Sequence, residues 1–181
     1  DNKYEGNIHY SQIQLKYLNT SRLSLQRRQT KTYLYNDFDP TRSSDSTPLP
    51  KNNFYDYVDY IFSYKSSSRN IFNIDSSISY GSFFNGEKFS FYNELAFRRQ
   101  PIFNTSLKFN FDSIKLPSPY SSRDIWLISP KFEFTFSKKT FWTTYIQYSS
   151  QSEDLGINSR LQFRFAPLSD LYLVYNDNYY A

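Results

Sequence analysis

The stretch Leu155–Asn178, LGINSRLQFRFAPLSDLYLVYNDN, decides the fold, because it reads as one antiparallel hairpin. In its first arm Leu155, Ile157, Leu161, Phe163 and Phe165 take odd positions, with Asn158, Arg160, Gln162 and Arg164 between them. Successive side chains of a strand leave from opposite faces, so one face is apolar and the other charged. Ala166-Pro167-Leu168-Ser169 supplies the turn, since proline cannot donate to a ladder. Leu171, Leu173 and Tyr175 keep the same period on the way back.

The same alternation runs outward through the chain. Ile13, Leu15 and Tyr17 alternate with Gln12, Gln14 and Lys16, and a break at Asn19-Thr20-Ser21 leads to Leu23 and Leu25. That arm continues through Arg27 and Lys31 to Tyr35, too polar there for a face in hydrocarbon. Val58, Tyr60, Phe62 and Tyr64 share one face, as do Phe72, Ile74, Ile78 and Tyr80 after the Ser66–Asn70 turn. Asn85-Gly86 is the strongest short-range hairpin signal. Phe89, Phe91, Leu95 and Phe97 follow, then Phe103, Leu107, Phe109 and Phe111 after Gln100-Pro101. Trp126, Ile128, Phe132, Phe134 and Phe136 come next, then Trp142, Thr144, Ile146 and Tyr148 beyond Ser137-Lys138-Lys139. The reading is roughly ten strands of about ten to thirteen residues in one unit over 1–181, with almost no helical period.

Composition bounds the class. Aromatic residues make up 21% of the 181 residues, which is too rich in large rings for a disordered chain. The mean hydropathy of -0.69 conceals amphipathic strands, since tyrosine scores as polar. Without cysteine there is neither a disulfide framework nor a thiolate metal site. A net charge of +4 with basic residues spread along strands points away from a nucleic-acid partner. With no methionine, the chain reads as a processed product or a segment of a longer protein. In the polar loop from Asp37 to Asn53, Asp37, Asp39 and Asp45 lack EF-hand spacing, so a solvated loop is expected rather than a calcium site.

Three patterns favour an antiparallel transmembrane β-barrel over a soluble sandwich. Strands of this length suit a tilted bilayer crossing, whereas soluble strands average about five or six residues. Aliphatic residues are expected at mid-strand on the apolar faces, with rings toward both ends, as headgroup-level girdles require. Short breaks at 19–21, 66–70, 99–102, 137–139 and 166–169 alternate with mostly longer ones, as periplasmic turns alternate with outer loops. On that assignment the first strand starts outside and the last ends outside. The barrel is then incomplete as it stands and needs at least about twelve strands when whole. The second reading is a soluble all-β carbohydrate-binding module whose rings stack on sugars.

Alternation assigns Asp75, Glu94, Arg98, Lys108, Asp112, Lys131, Glu133, Arg160 and Arg164 to the non-lipid face. One reading is a lumen whose opposite charges pair across neighbouring strands or are hydrated, the other a selective channel or a binding surface for an anionic ligand; neither sign dominates, so strong ion selectivity is not implied. His9 and Ser11 share a face, but no third residue or oxyanion hole joins them. The expectation is no enzyme and no cofactor.

The runs SYGSFFNGEKFSF (Ser79–Phe91), IWLISPKFEFTFSK (Ile125–Lys138) and NSRLQFRFAPLSDLYLVYNDN (Asn158–Asn178) resemble a family of uncharacterised outer-membrane barrel proteins. Members carry an N-terminal carbohydrate-binding module of the family-nine, DOMON-like type. The resemblance covers most of Phe54–Ala181 and implies the C-terminal barrel of a longer chain, with one more strand usually following the YND segment. It further implies the outer membrane of a Gram-negative bacterium, with membrane lipid and other envelope proteins as partners. Glycan contact would come only through the missing N-terminal module. It brings no catalytic residue.

Overall fold

The structure, a computed structural model, describes residues 5–43 and 46–180. Its strands are β1 (Gly6–Lys16), β2 (Arg22–Leu34), β3 (Asn53–Lys65), β4 (Phe72–Phe83), β5 (Gly86–Arg99), β6 (Phe103–Lys115), β7 (Arg123–Thr135), β8 (Thr140–Ser149), β9 (Asp154–Ala166) and β10 (Ser169–Tyr180). They form one ten-stranded antiparallel sheet in chain order, and no helix occurs among the described residues. β1 and β10 are the two edges and do not pair with each other, so the sheet is open.

Register keeps the alternation in phase from strand to strand. Phe62, Ile78, Phe91, Phe111 and Trp126 stand directly opposite one another along one row of β3–β7. Because a one-residue slip would reverse every side chain of a strand, this phase puts all the apolar stripes on one face. No other layer covers that face. Leu107 is 41% exposed and Leu95 47%, while the only buried apolar side chains among the described residues are Leu49, Ile114 and Leu116.

Rings form two rows on the apolar face. Toward one end, ring centroids step from Phe72 to Phe97 (4.9 Å), Phe97 to Phe103 (6.1 Å), Phe103 to Phe134 (4.5 Å) and Phe134 to Trp142 (5.3 Å). Toward the other, Phe89 lies 6.3 Å from Phe111, and Phe111 lies 4.8 Å from Trp126. The rows are eight residues apart on each of β5, β6 and β7, which is about 26 Å along a strand. Ile74, Leu95, Leu107 and Ile128 lie between them. The middle is not purely aliphatic as expected, because Phe91 and Phe109 meet there at 6.0 Å and Ser76 stands opposite Asn93.

The connections sort by end. Segments 17–21, 66–71, 100–102, 136–139 and 167–168 lie at the short-turn end, and 35–52, 84–85, 116–122 and 150–153 at the long-loop end. The tight hairpin at Asn85-Gly86 forms, but one residue earlier than its signal suggests. Phe83 pairs with Gly86, so Phe84 and Asn85 make the turn, and Phe84 takes the positive φ of 51°. Gly86 is needed for space instead: a Cβ there would lie 2.1 Å from the Lys115 carbonyl oxygen. Gly86→Val should therefore cost on the order of 2 kcal/mol or more, whereas exposed Asn85→Ala should change little. Thermal unfolding in detergent, followed by the β-sheet circular dichroism signal, checks both.

Candidate functional site

The face opposite the rings carries the ionic groups. Lys16, Arg22, Lys65, Asp75, Glu94 and Lys108 stand opposite one another in a single row across β1–β6. Arg98, Asn104, Glu133, Thr143 and Arg160 form a second row across β5–β9. Lys131 stands opposite Ser106, Asp112 opposite Ser90, and Arg164 opposite Asp170. The register thus gathers the charged residues singled out by alternation onto one face.

Every carboxylate among them holds a cation. Lys65 Nζ lies 2.5 Å from Asp75, Lys88 Nζ 3.2 Å from Asp112, Lys131 Nζ 2.7 Å from Glu133 and Arg164 Nε 3.0 Å from Asp170. Glu94 accepts a hydrogen bond from the Tyr92 hydroxyl at 2.9 Å, with Lys108 Nζ at 3.9 Å. Arg98 reaches only the Ser68 carbonyl at 3.4 Å, and Arg160 lies over the Tyr172 ring at 5.7 Å. A cavity of about 350 Å³ opens among Glu94, Arg98, Asn104, Ser106, Lys131 and Glu133. His9 Nε2 lies 3.2 Å from Asn7 Nδ2, and no hydrogen bond joins it to Ser11 among the described residues.

Sequence reasoning missed the forked pair between Arg28 and Asp59, with Nε–Oδ1 at 2.8 Å and Nη2–Oδ2 at 2.7 Å. Its signal was present, since Arg28 and Asp59 both have the parity of the polar face. The pair borders a cavity of about 270 Å³ with Tyr57, Ser82, Phe83 and Lys88. This cavity lies toward the long-loop end, where the face changes character. Phe84 packs its ring against Phe38 (5.5 Å), Tyr55 (5.2 Å), Tyr57 (5.3 Å) and Phe83 (4.8 Å). These contacts offset the unfavourable backbone of its turn.

The described residues of the loop 35–52 form a folded structure and not merely a solvated one. Phe38 bridges Leu49, and both Thr41 and Leu49 are completely buried. Arg123, at the start of β7, fastens it. One guanidinium nitrogen donates to the carbonyls of Thr41 (3.2 Å) and Arg42 (3.1 Å), the other to those of Ser150 (3.4 Å) and Gln151 (3.1 Å). Arg123 shares the polar face with Ile114 and Lys88, so the loop crosses that face from β3 to β7, roughly 19 Å along the sheet. This contact spans 82 residues of sequence, and no local signal announces it.

The aspartates of the loop serve its own backbone. Asp37 accepts from the Lys51 amide at 2.9 Å. Asp39 accepts from the Thr41 amide (2.9 Å) and hydroxyl (2.7 Å), the Ser43 amide (2.8 Å) and the Ser46 hydroxyl. Burial alone would raise the Asp39 carboxyl; the hydrogen bonds from Ser46, Thr41 and Ser43 outweigh it and hold the group below the usual carboxylate range. Asp45 lies outside the described residues.

No family model, no curated protein and no solved structure matches this chain.

Two measurements test the fastening. Arg123→Ala and Arg123→Lys should both raise proteolytic cleavage within 35–52, because an ammonium cannot reproduce the guanidinium fork. A depressed carboxyl stabilises the fold above its unfolded value and loses that contribution as pH falls through the folded one. Amide-exchange protection of the Thr41 and Ser43 amides should therefore hold near neutrality and fall below about pH 4. In Asp39→Ala it should be low at every pH.

Proposed function

We propose that this chain is the larger part of an outer-membrane β-barrel of a Gram-negative bacterium. It serves as anchor, scaffold or conduit for a glycan-associated surface or periplasmic protein, within an envelope assembly. The observation that carries the reading is the uncovered apolar face bounded by two rows of rings. A separation of about 26 Å along the strand becomes about 20 Å at a barrel tilt near 40°, close to the apolar band of such proteins. A soluble sandwich needs a second sheet over that face, and all ten strands lie in one sheet.

Three further points support the same reading. Short and long connections sort to opposite ends, with 84–85 the tight exception. In hydrocarbon, open edges at β1 and β10 would leave backbone groups unpaired, so further strands must close the sheet. The resemblance of Ser79–Phe91, Ile125–Lys138 and Asn158–Asn178 to barrels of glycan-associated proteins is the basis for the glycan association.

Heat-modifiable gel mobility of the full protein is the direct test. Identical migration before and after boiling, together with solubility in the absence of detergent, would discard the reading. Neighbouring residues on opposite faces sharpen it. Leu107→Arg should cost about 2–4 kcal/mol of stability in lipid vesicles, and Ser106→Arg much less. Equal effects in urea titrations would count against a lipid-facing Leu107.

A further inference from the structure

The two halves of the polar face differ in charge. Toward the long-loop end Arg28 is paired with Asp59 and Lys88 with Asp112, and the two ionic strand residues without an ion pair there among the described residues, Arg123 and Asp154, are opposite in sign. From mid-sheet to the short-turn end each of the four carboxylates holds one cation, and four more cations remain. Lys16, Arg22, Arg98 and Arg160 have no carboxylate within ion-pair distance among the described residues. The short turns add Arg69, Lys138 and Lys139 and no acidic residue.

The placement of these cations is itself informative. Lys16 stands directly opposite Arg22, and Arg22 directly opposite Lys65. Like charges facing across a ladder destabilise it; Lys65 is compensated by Asp75, which leaves Lys16 and Arg22 as the facing pair that a bound counter-anion would relieve. Arg98 borders the cavity of about 350 Å³, which also presents the hydroxyl of Ser106 and the amide of Asn104.

We propose that the short-turn half of the polar face is a vestibule that attracts small multivalent anions bearing phosphate or carboxylate groups, through the summed positive charge of Lys16, Arg22, Arg98 and Arg160, which stand on β1, β2, β5 and β9, rather than through one set of ligands. This goes beyond the barrel reading, on which it rests for the enclosure of that face. Pairing over the polar face as a whole conceals the asymmetry, which appears only when register separates the two ends.

The test is calorimetric titration of tripolyphosphate and of citrate into the refolded full protein in zwitterionic detergent. Gel mobility before and after boiling is read on the same preparation. Binding is expected at low ionic strength and should weaken steadily with added salt, because the vestibule is open to water. The triple variant R22Q/R98Q/R160Q should lose about tenfold in affinity, while Lys88→Gln, in the other half, should bind as the parent does. Binding of both ligands supports recognition by charge; tripolyphosphate alone narrows the class to phosphates. A heat-modifiable protein that binds neither ligand, or whose triple variant binds unchanged, overturns this inference and leaves the barrel reading intact. A protein without heat-modifiable mobility sinks the barrel reading and the enclosed vestibule with it.

Discussion

Nine consecutive ladders hold the period-two alternation of ten strands in one phase, and everything else in the fold depends on that phase. Slipping one strand by a residue would put Leu107 and Phe109 among the carboxylates and Lys108 among the rings. In phase, the sheet gathers most rings and aliphatic side chains on one side and most ion pairs on the other; the pair Lys31–Asp56, beyond the rings at the long-loop end of β2 and β3, lies on the apolar side. The apolar side then extends over β3–β10 without a partner layer. That is far beyond the few hundred Å² of contiguous apolar surface a water-soluble monomer exposes. On the proposed reading, lipid covers that side, asks for no second sheet and gives two rows of rings a reason to stand apart in depth.

Strand existence, order and facing were legible in the sequence because each follows from local spacing. Alternation alone puts each of Phe62, Ile78, Phe91, Phe111 and Trp126 on an apolar face, and the register sets them opposite one another in one row. Less legible were features decided by a third body. Asn85-Gly86 marks a hairpin, but the glycine answers to the Lys115 carbonyl on the next strand, so the turn falls on Phe84 and Asn85. The loop 35–52 has the composition of a solvated loop, yet Arg123 and the buried Leu49 give it a fixed course. Parity alone could have found the Arg28–Asp59 pair. The charge difference between the two ends could not be found that way, because alternation assigns a face and says nothing of depth.

The rings on the polar face are where the alternation looks broken. Tyr55, Tyr57 and Phe83 have the parity of the ionic groups, and a strict inside-polar rule would forbid them. They all lie at the long-loop end, where Phe84 and Phe38 of the connections close over them. Burying these rings against one another replaces water contact with apolar contact, as in a small soluble core. At this end the exception is produced by a loop that brings its own apolar cover, whereas Tyr92, Phe141, Tyr145 and Tyr172, of the same parity elsewhere on the face, lie outside it. The loop divides the polar face into a capped end, where Arg28 and Lys88 hold Asp59 and Asp112 and Arg123 holds the loop, and an uncapped end with surplus cations. A solute meeting the uncapped end encounters open charge, and one meeting the other encounters folded chain. On the proposed barrel, then, the two mouths are chemically unlike, and the difference arises from one loop of eighteen residues and the arginine that fastens it.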